Sequence, residues 1–379
     1  MAAGTAILAS ATMFPGLSKP WVAWMKILRL FYEDARNPLR HIHSERIHKV
    51  PLDVKRYSVQ ERMNLPGLHQ FPAHGTSGMR PQPTAAPTPD WESLSCCLVC
   101  GSEKIRAVDA EHNICQCGAC GCVFDNPRPT LSALVSFYSK PAKYDSWLGA
   151  EAARQRLWKR RLKKLLKHAS RGNLLDVGTG TGQFLNVAKP FFNHVTGTEV
   201  SQTALRIAKE RYNLDIAQGQ IEECELPRNS FDTITLFHVL EHVPDPRKTI
   251  ARCSELLSIG GVLLVCVPND VMAWTSKIKI LGKKLGLRAF QKFSPRFGLP
   301  RAFSSREIHL SHFTAAVLRR GLERAGLSVI DESLDTYYVA TGVWHVLHSA
   351  YYGLHRLLFA LLGVNWYDTI WMVARKVPR

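Results

Sequence analysis

The sequence predicts an α/β chain, a doubly wound and mostly parallel sheet preceded by a small cysteine-rich module. Three observations carry this prediction. A short apolar run, "NLLDV", ends in a carboxylate and opens into a loop with glycine at every second position, Gly178, Gly180 and Gly182. Downstream, apolar runs alternate with amphipathic stretches and turn signals, the pattern of strands and helices in a parallel sheet. Upstream, seven of the ten cysteines fall within one short segment, "CCLVCGSEKIRAVDAEHNICQCGACGC".

The glycine loop comes first. Leu174, Leu175 and Val177 read as a buried parallel strand, bounded by turn residues. The glycines permit positive φ and close approach of a ligand to bare backbone. Gln183 to Ala188 then begins a helix, whose N-terminal N–H groups face the loop. Such a loop at the carboxyl end of a strand is a nucleotide-type site. The spacing is not that of a dinucleotide site, because Leu185 stands where the last glycine of G-x-G-x-x-G belongs. No Gly-Lys-Ser/Thr follows, so a Walker A loop is excluded.

The second strand, "HVTGTEV", ends at Glu199, 17 positions beyond Gly182. An acid at that place can accept hydrogen bonds from both hydroxyls of an adenosine ribose. "SQTALRIAKERY" follows as an amphipathic helix with Ser201 as its N-cap. "LDIAQGQIEE", "SFDTITLFHVLEHVPDP" and "GGVLLVCVPN" continue the alternation.

The set "LLDVGTGTG", "VTGTEVS", "NSFDTITLFHVLEHVPDP" and "LLSIGGVLLVCVPN" resembles a class I S-adenosylmethionine-dependent methyltransferase, over roughly residues 150 to 379. The resemblance implies a seven-stranded, Rossmann-like methyltransferase fold. It implies cofactor contacts at Asp176, Gly178, Thr179, Gly180 and Gly182, and at Glu199 and Val200 for the ribose. Gln220 and Ile221 would flank the adenine, and Phe237 and His238 the sulfonium. Family members often carry an Asp where this chain has Gln220. S-adenosylmethionine has no pyrophosphate, which agrees with a loop lacking a phosphate-binding lysine.

In the cysteine-rich segment, Cys97-x-x-Cys100 and Cys117-x-x-Cys120 are separated by 16 residues, the spacing of a zinc ribbon. Gly101 and Gly121 follow the two pairs and allow each turn to aim backbone N–H groups at the thiolates. So small a module lacks core, and metal binding supplies the missing free energy. Cys96, Cys115 and Cys122 are surplus; Cys115 competes with Cys117, but only Cys117 stands at knuckle spacing from Cys120. Four thiolates leave zinc no open position, so the metal is expected to be structural. The segment, with "FDNPRPT" and "FYSKPAKYDSW" after it, is similar to those preceding methyltransferase domains in bacterial enzymes acting on small molecules, sugars and glycans. Tyr138 or Tyr144 is expected as a lid residue over the cofactor.

The expected organisation is a tail or linker with one helix over 1–90, a zinc ribbon over 91–130, lid and linking helices over 131–170, and the methyltransferase domain over 171–379. The tail is compatible with an organellar transit segment or with a start upstream of the domain. Two insertions interrupt the domain. The basic one, 271–305, carries Lys277, Lys279, Lys283, Lys284, Arg288, Lys292, Arg296 and Arg301. The apolar one, 342–364, reads as an amphipathic helical hairpin over Trp344 to Leu362, before a last strand "TIWMVARK". A net charge of +18 and a pI near 9.6 call for an anionic partner or surface. No run approaches the length of a transmembrane helix and no basic region precedes the first apolar stretch, so the expected location is cytoplasmic, with association to an anionic membrane surface.

Transfer of a methyl from a sulfonium is an in-line displacement, and positioning supplies most of the acceleration. For a hydroxyl acceptor a general base is needed, and His242, beside Glu241 just past the fourth strand, is the candidate. The histidines of "HLSHFT", His309 and His312, form a second candidate, whose plainer reading is a capping segment for the next helix. Three function classes follow: a methyltransferase on a small molecule, sugar or glycan precursor; one on RNA or protein, with the ribbon and basic helix binding the polymer; and a non-catalytic binding module. No Asn-Pro-Pro-Tyr motif of amino-group methylation follows the fourth strand, and the intact loop with Asp176 and Glu199 argues for catalysis.

Overall fold

The structure, a computed structural model, describes residues 91–140, 151–301, 307–336, 340 and 342–378. The helix expected within 1–90 and the lid candidate Tyr144 lie outside these residues.

The ribbon opens with β1 (Trp91–Glu92) and a meander of β2 (Ile105–Asp109), β3 (Ile114–Cys117) and β4 (Val123–Asp125). β5 (Arg128–Pro129) returns to pair with β1. Two helices lead onward, α1 (Leu131–Tyr138) and α2 (Glu151–Leu165). The main domain then alternates β6 (Asn173–Val177), α3 (Gln183–Ala188), β7 (His194–Glu199), α4 (Gln202–Tyr212), β8 (Ile216–Gln218), β9 (Phe231–Phe237), α5 (Pro246–Leu256) and β10 (Leu257–Pro268). After it come α6 (Trp274–Lys284), β11 (Ser311–His312), α7 (Ala315–Arg324), β12 (Leu327–Ser333), α8 (Gly342–Leu362) and β13 (Thr369–Lys376).

Seven of these strands form one sheet in the order β12-β13-β10-β9-β6-β7-β8. β6 to β10 run parallel, and β13 is antiparallel to both β10 and β12. The alternation of side chains along each strand explains the two cores. Leu175, Ile234, Leu236, Leu263, Val265 and Met372 pack on one face, against α5 and α7. Leu174, Leu264, Trp371 and Val373 pack on the other, against Leu162 and Leu165 of α2 and Phe184 and Leu185 of α3. Each such side chain, fully buried, contributes about 1.5–3 kcal/mol.

Helix ends follow local chemistry. Ser201 caps α4 by accepting from the Ala204 N–H, and Asp245 caps α5 by accepting from Arg247 and Lys248, with Pro246 at the first helical position.

The structure corrects two expectations. The stretch read as a helical hairpin is one continuous helix, α8, because Gly353 alone does not break a helix and no turn residues divide it. "HLSHFT" is more than a capping segment. Thr314 does cap α7, but Ser311 and His312 pair with Phe124 and Val123 as the fourth strand of the ribbon sheet. The ribbon is thereby built into the main domain: Cys97, Cys117, Cys120 and Cys122 share a core with Ile250, Leu318 and Leu322. No helix among the described residues is long and apolar enough to cross a membrane.

Candidate active site

The parallel strands deliver their carboxyl ends to one cavity of about 430 Å³, within the range of small-molecule sites. Asp176, Gly178, Thr179 and Gly180 line it from the loop after β6, and Glu199 and Val200 from the end of β7. Gln220 and Ile221 line it after β8, and Phe237, His238 and His242 after β9. Gly182 is absent from this lining. It caps α3 at φ 77°, and a Cβ there would come within 2.7 Å of Leu214 and 3.1 Å of Ala208. Its lack of a side chain serves helix packing. Gly178, at φ 63°, leaves room for Val239, which a Cβ would approach to 2.6 Å.

Glu199 sits nearly buried, with one oxygen accepting from the Gly180 N–H and the other from the Ser201 N–H, each at 2.8 Å. A carboxylate has about four lone-pair directions, so both oxygens keep capacity for further donors. Asp176 is buried and accepts from the Thr235 hydroxyl at 2.5 Å. Burial pushes its carboxyl up to about 7, against the hydrogen bond from Thr235.

One wall is aromatic. Phe237 packs against Phe184 at 4.8 Å and Trp158 at 5.3 Å between ring centroids. Arg161 lies over it, 5.1 Å from the ring. This arginine is buried and forms a tight ion pair with Asp335, 2.6 Å, while approaching His238 Nε2 at 3.1 Å. Arg161 and Asp335 escaped the sequence reading. A buried arginine in a cationic helix has no local signature, and its partner lies 174 positions away.

His238 adopts φ 56°, a left-handed conformation rare outside glycine. The turn it starts places Glu241 and His242 under the cavity. His242 Nδ1 stands 2.6 Å from the Ile308 carbonyl and 2.9 Å from the Tyr138 hydroxyl. A carbonyl only accepts, so Nδ1 carries the hydrogen and Nε2 the lone pair. Burial holds this imidazole below its ordinary range, with the Glu241 charge opposing. Tyr138 covers the cavity as a lining residue and also accepts from the Ile308 N–H.

The "HLSHFT" histidines take different places. His312 is clamped between Asp270 and Asp125, each at 3.2 Å, so both its nitrogens are used. Burial pulls its imidazolium down, but the two carboxylates outweigh it and hold it at about 9. His309 donates Nδ1–H to Asp270 at 2.8 Å and packs 5.0 Å from the His242 ring.

In the ribbon, Cys97 Sγ lies 3.6 Å from Cys120 Sγ, and Cys100 Sγ lies 3.5 Å from Cys117 Sγ. The four sulfurs are all within 4.8 Å of one another. With Zn–S near 2.3 Å, the edge of a tetrahedral site is about 3.8 Å, so the thiols fit a zinc ion. Gly101 and Gly121 adopt φ 74° and 79° and donate to the Cys97 and Cys117 carbonyls. Cys115 and Cys122 direct their thiols at the Asn126 and Val123 carbonyls. From α7, Arg320 and Arg324 donate to the Cys120 and Cys100 carbonyls, tying both knuckles to the main domain.

Residues 150–332 match the family described as Methyltransferase domain. Over that stretch the chain is similar to S-adenosylmethionine-dependent methyltransferases. Among curated proteins it is similar to a probable S-adenosylmethionine-dependent methyltransferase of Mycolicibacterium smegmatis, 29% identical over 47% of this chain and 62% of the relative. It is also similar to the ubiquinone biosynthesis O-methyltransferase of Coxiella burnetii, 32% identical over 26% of this chain and 44% of the relative. The chain thus spans about half the length of the curated relatives it matches. A solved S-adenosylmethionine-dependent methyltransferase from Mesorhizobium loti aligns over 57% of this chain and 96% of its own, at 16% identity and a TM-score of 0.39.

If S-adenosylmethionine is bound beside Asp176, the carboxyl of that residue is expected to make binding pH-dependent. It is protonated below about 7 and ionised above, and the cofactor's positive charges favour the ionised form. Affinity is therefore expected to rise as pH rises through about 7 and to level off above it. Calorimetric titration across this range checks the expectation, and Asp176→Asn should flatten the profile. An unchanged slope in that variant assigns the dependence to another group.

Proposed function

We propose that the chain transfers the methyl group of S-adenosylmethionine to a hydroxyl of a small molecule, sugar or glycan precursor. The observation that carries this reading is the single cavity that unites the glycine loop and Glu199 with His238 and His242. Glu199 would hold the ribose, Ile221 and Gln220 the adenine edge, and Phe237 and His238 the sulfonium. His242, whose Nδ1–H is bound to the Ile308 carbonyl and whose burial favours the neutral ring, would take the proton of the acceptor hydroxyl through Nε2. The relatives named ubiquinone biosynthesis O-methyltransferase support an oxygen acceptor.

We further propose that zinc fills the four-cysteine group of the ribbon and acts structurally. The thiols at 3.5 and 3.6 Å support it. The acceptor is read as apolar and presented at an anionic membrane surface. On α6, Trp274, Leu281 and Leu285 are exposed beside Lys277, Lys279, Lys283 and Lys284. On α8, Val343, Val346, Leu354, Leu357 and Leu361 form a second exposed apolar row. Cations next to apolar side chains suit anionic headgroups above acyl chains.

The test is methyl transfer from labelled S-adenosylmethionine to small-molecule fractions, with and without anionic vesicles, and mass spectrometry of the product. His242→Ala is expected to lower turnover about 10²–10⁴-fold while cofactor affinity changes little. Label found only on RNA or protein would replace this reading with the polymer-modifying one.

A further inference from the structure

We propose that Glu241, His242 and His309 form a binding site for one divalent metal cation behind the part of the cavity wall that His242 provides. Each of the three places a donor atom within 4.8 Å of the other two. His242 Nε2 stands 3.7 Å from Glu241 Oε1, a separation natural for two ligands on one first-row ion at about 2.1 Å from each.

The hydrogen bonds around the group prepare it for a metal. His242 spends its Nδ1–H on the Ile308 carbonyl, and His309 spends its own on Asp270. In each ring the nitrogen not held there is Nε2, and that of His309 lies 3.9 Å from the Glu307 carboxylate. A carbonyl or carboxylate behind the far ring nitrogen is the arrangement that orients a metal-ligating histidine and fixes its tautomer.

Glu241 is the second, independent observation. Its side chain is 1% exposed, and neither carboxylate oxygen has a hydrogen-bond partner. The closest cationic approaches are His238 Nδ1 at 3.4 Å and His242 Nε2 at 3.7 Å, both outside hydrogen-bond geometry. The nearby imidazoles of His238 and His242 offset part of the cost of burying this carboxylate, and a bound cation would offset the rest.

Two other groups of potential ligands lie nearby, and each is already closed. Asp335 of the His238, Cys266 and Asp335 group is held by the Arg161 guanidinium. In the Asp270, His309 and His312 group, both nitrogens of His312 are clamped by carboxylates. Among the described residues, the Glu241 group combines a buried carboxylate lacking a hydrogen bond with the Nε2 of His242, while the Nε2 of His309 is shared with Glu307. Glu307, whose Oε2 is 3.9 Å from His309 Nε2, faces the same cavity as His242. Two imidazoles and a carboxylate with open positions suit Zn²⁺, Mn²⁺, Fe²⁺ or Co²⁺.

The catalytic use of the cation rests on the methyl-transfer reading above; its binding does not. An acceptor hydroxyl on the cation loses its proton to solvent at a lower pH than it does in water. The resulting oxyanion attacks the methyl carbon, the carbon–oxygen bond forms, and the carbon–sulfur bond breaks with its electron pair left on sulfur. A methyl ether and a neutral thioether result. In this scheme His242 is a ligand, and the cation does the work otherwise given to a base.

The experiment titrates Mn²⁺ into the full chain with the ribbon zinc in place and counts free ion by electron paramagnetic resonance. Mn²⁺ prefers nitrogen and oxygen ligands and does not compete for four thiolates. One saturable equivalent is expected. Its affinity should fall at least tenfold in Glu241→Gln and in His309→Asn, and about 10–100-fold in Asp270→Asn, which only orients His309. Zinc content and S-adenosylmethionine affinity, measured on the same samples, report that each variant is folded. No saturable binding, or binding unchanged in folded Glu241→Gln, overturns the site. Full-rate methyl transfer by Glu241→Gln overturns the catalytic role and leaves the methyl-transfer reading standing. Saturable Mn²⁺ binding without transfer to any acceptor supports the site and counts against that reading.

Discussion

Replacing Glu199 by alanine is expected to weaken S-adenosylmethionine binding roughly 10- to 150-fold, the effect of losing about 1.5–3 kcal/mol of charge-assisted hydrogen bonding. The substitution acts twice. It removes the acceptor read as holding the ribose hydroxyls. It also removes the partner of the Gly180 and Ser201 N–H groups, which fixes the glycine loop against the start of α4. Glu199→Gln keeps the shape and one carbonyl acceptor but loses the charge, so its loss should be intermediate. Calorimetry measures both. An affinity unchanged in Glu199→Ala would place the ribose elsewhere and undo the assignment of the loop.

The second large effect is expected from the ribbon. Cys97→Ser or Cys117→Ser should abolish a zinc content of one ion per chain, measured by elemental analysis. Structural zinc in small modules contributes on the order of 10–16 kcal/mol of apparent binding free energy at neutral pH. The loss should not stay local. β11 pairs with β4, α7 donates two guanidinium hydrogen bonds to the knuckles, and the cysteines share a core with α5 and α7. A lower unfolding temperature of the whole main domain is therefore expected. Cys115→Ser is the control, since that thiol faces the Asn126 carbonyl outside the four-sulfur group. Zinc lost in Cys115→Ser but kept in Cys117→Ser would shift the ligand register.

Much of the framework was legible in the residues. The strand ending at Asp176, the alternating glycines and the acid at Glu199 are all local patterns. Side-chain period, glycine's access to positive φ and strand-terminal polarity act within a few residues of chain. The two C-x-x-C pairs are legible for the same reason, because each knuckle is a turn closed within itself. Ser201 and Thr314 as helix caps belong to this class.

Other features needed the folded chain. Gly182 sits within the legible motif, yet its neighbours Ala208 and Leu214 come from α4 and the turn after it, and they make it a packing position. The helix α8 runs unbroken through its internal Gly353, with Tyr351 and Tyr352 packed against Tyr367. Arg161 and Asp335 are far apart in sequence, and so are the Glu241–His242 pair and His309. The sequence by itself determined the strands, the loop and the knuckles, because those depend on interactions that fall off within a few residues. Only the tertiary structure decided which buried charges meet and which stay unsatisfied. Burial and pairing are properties of the neighbours that the sheet's carboxyl ends bring together, and no local pattern records them.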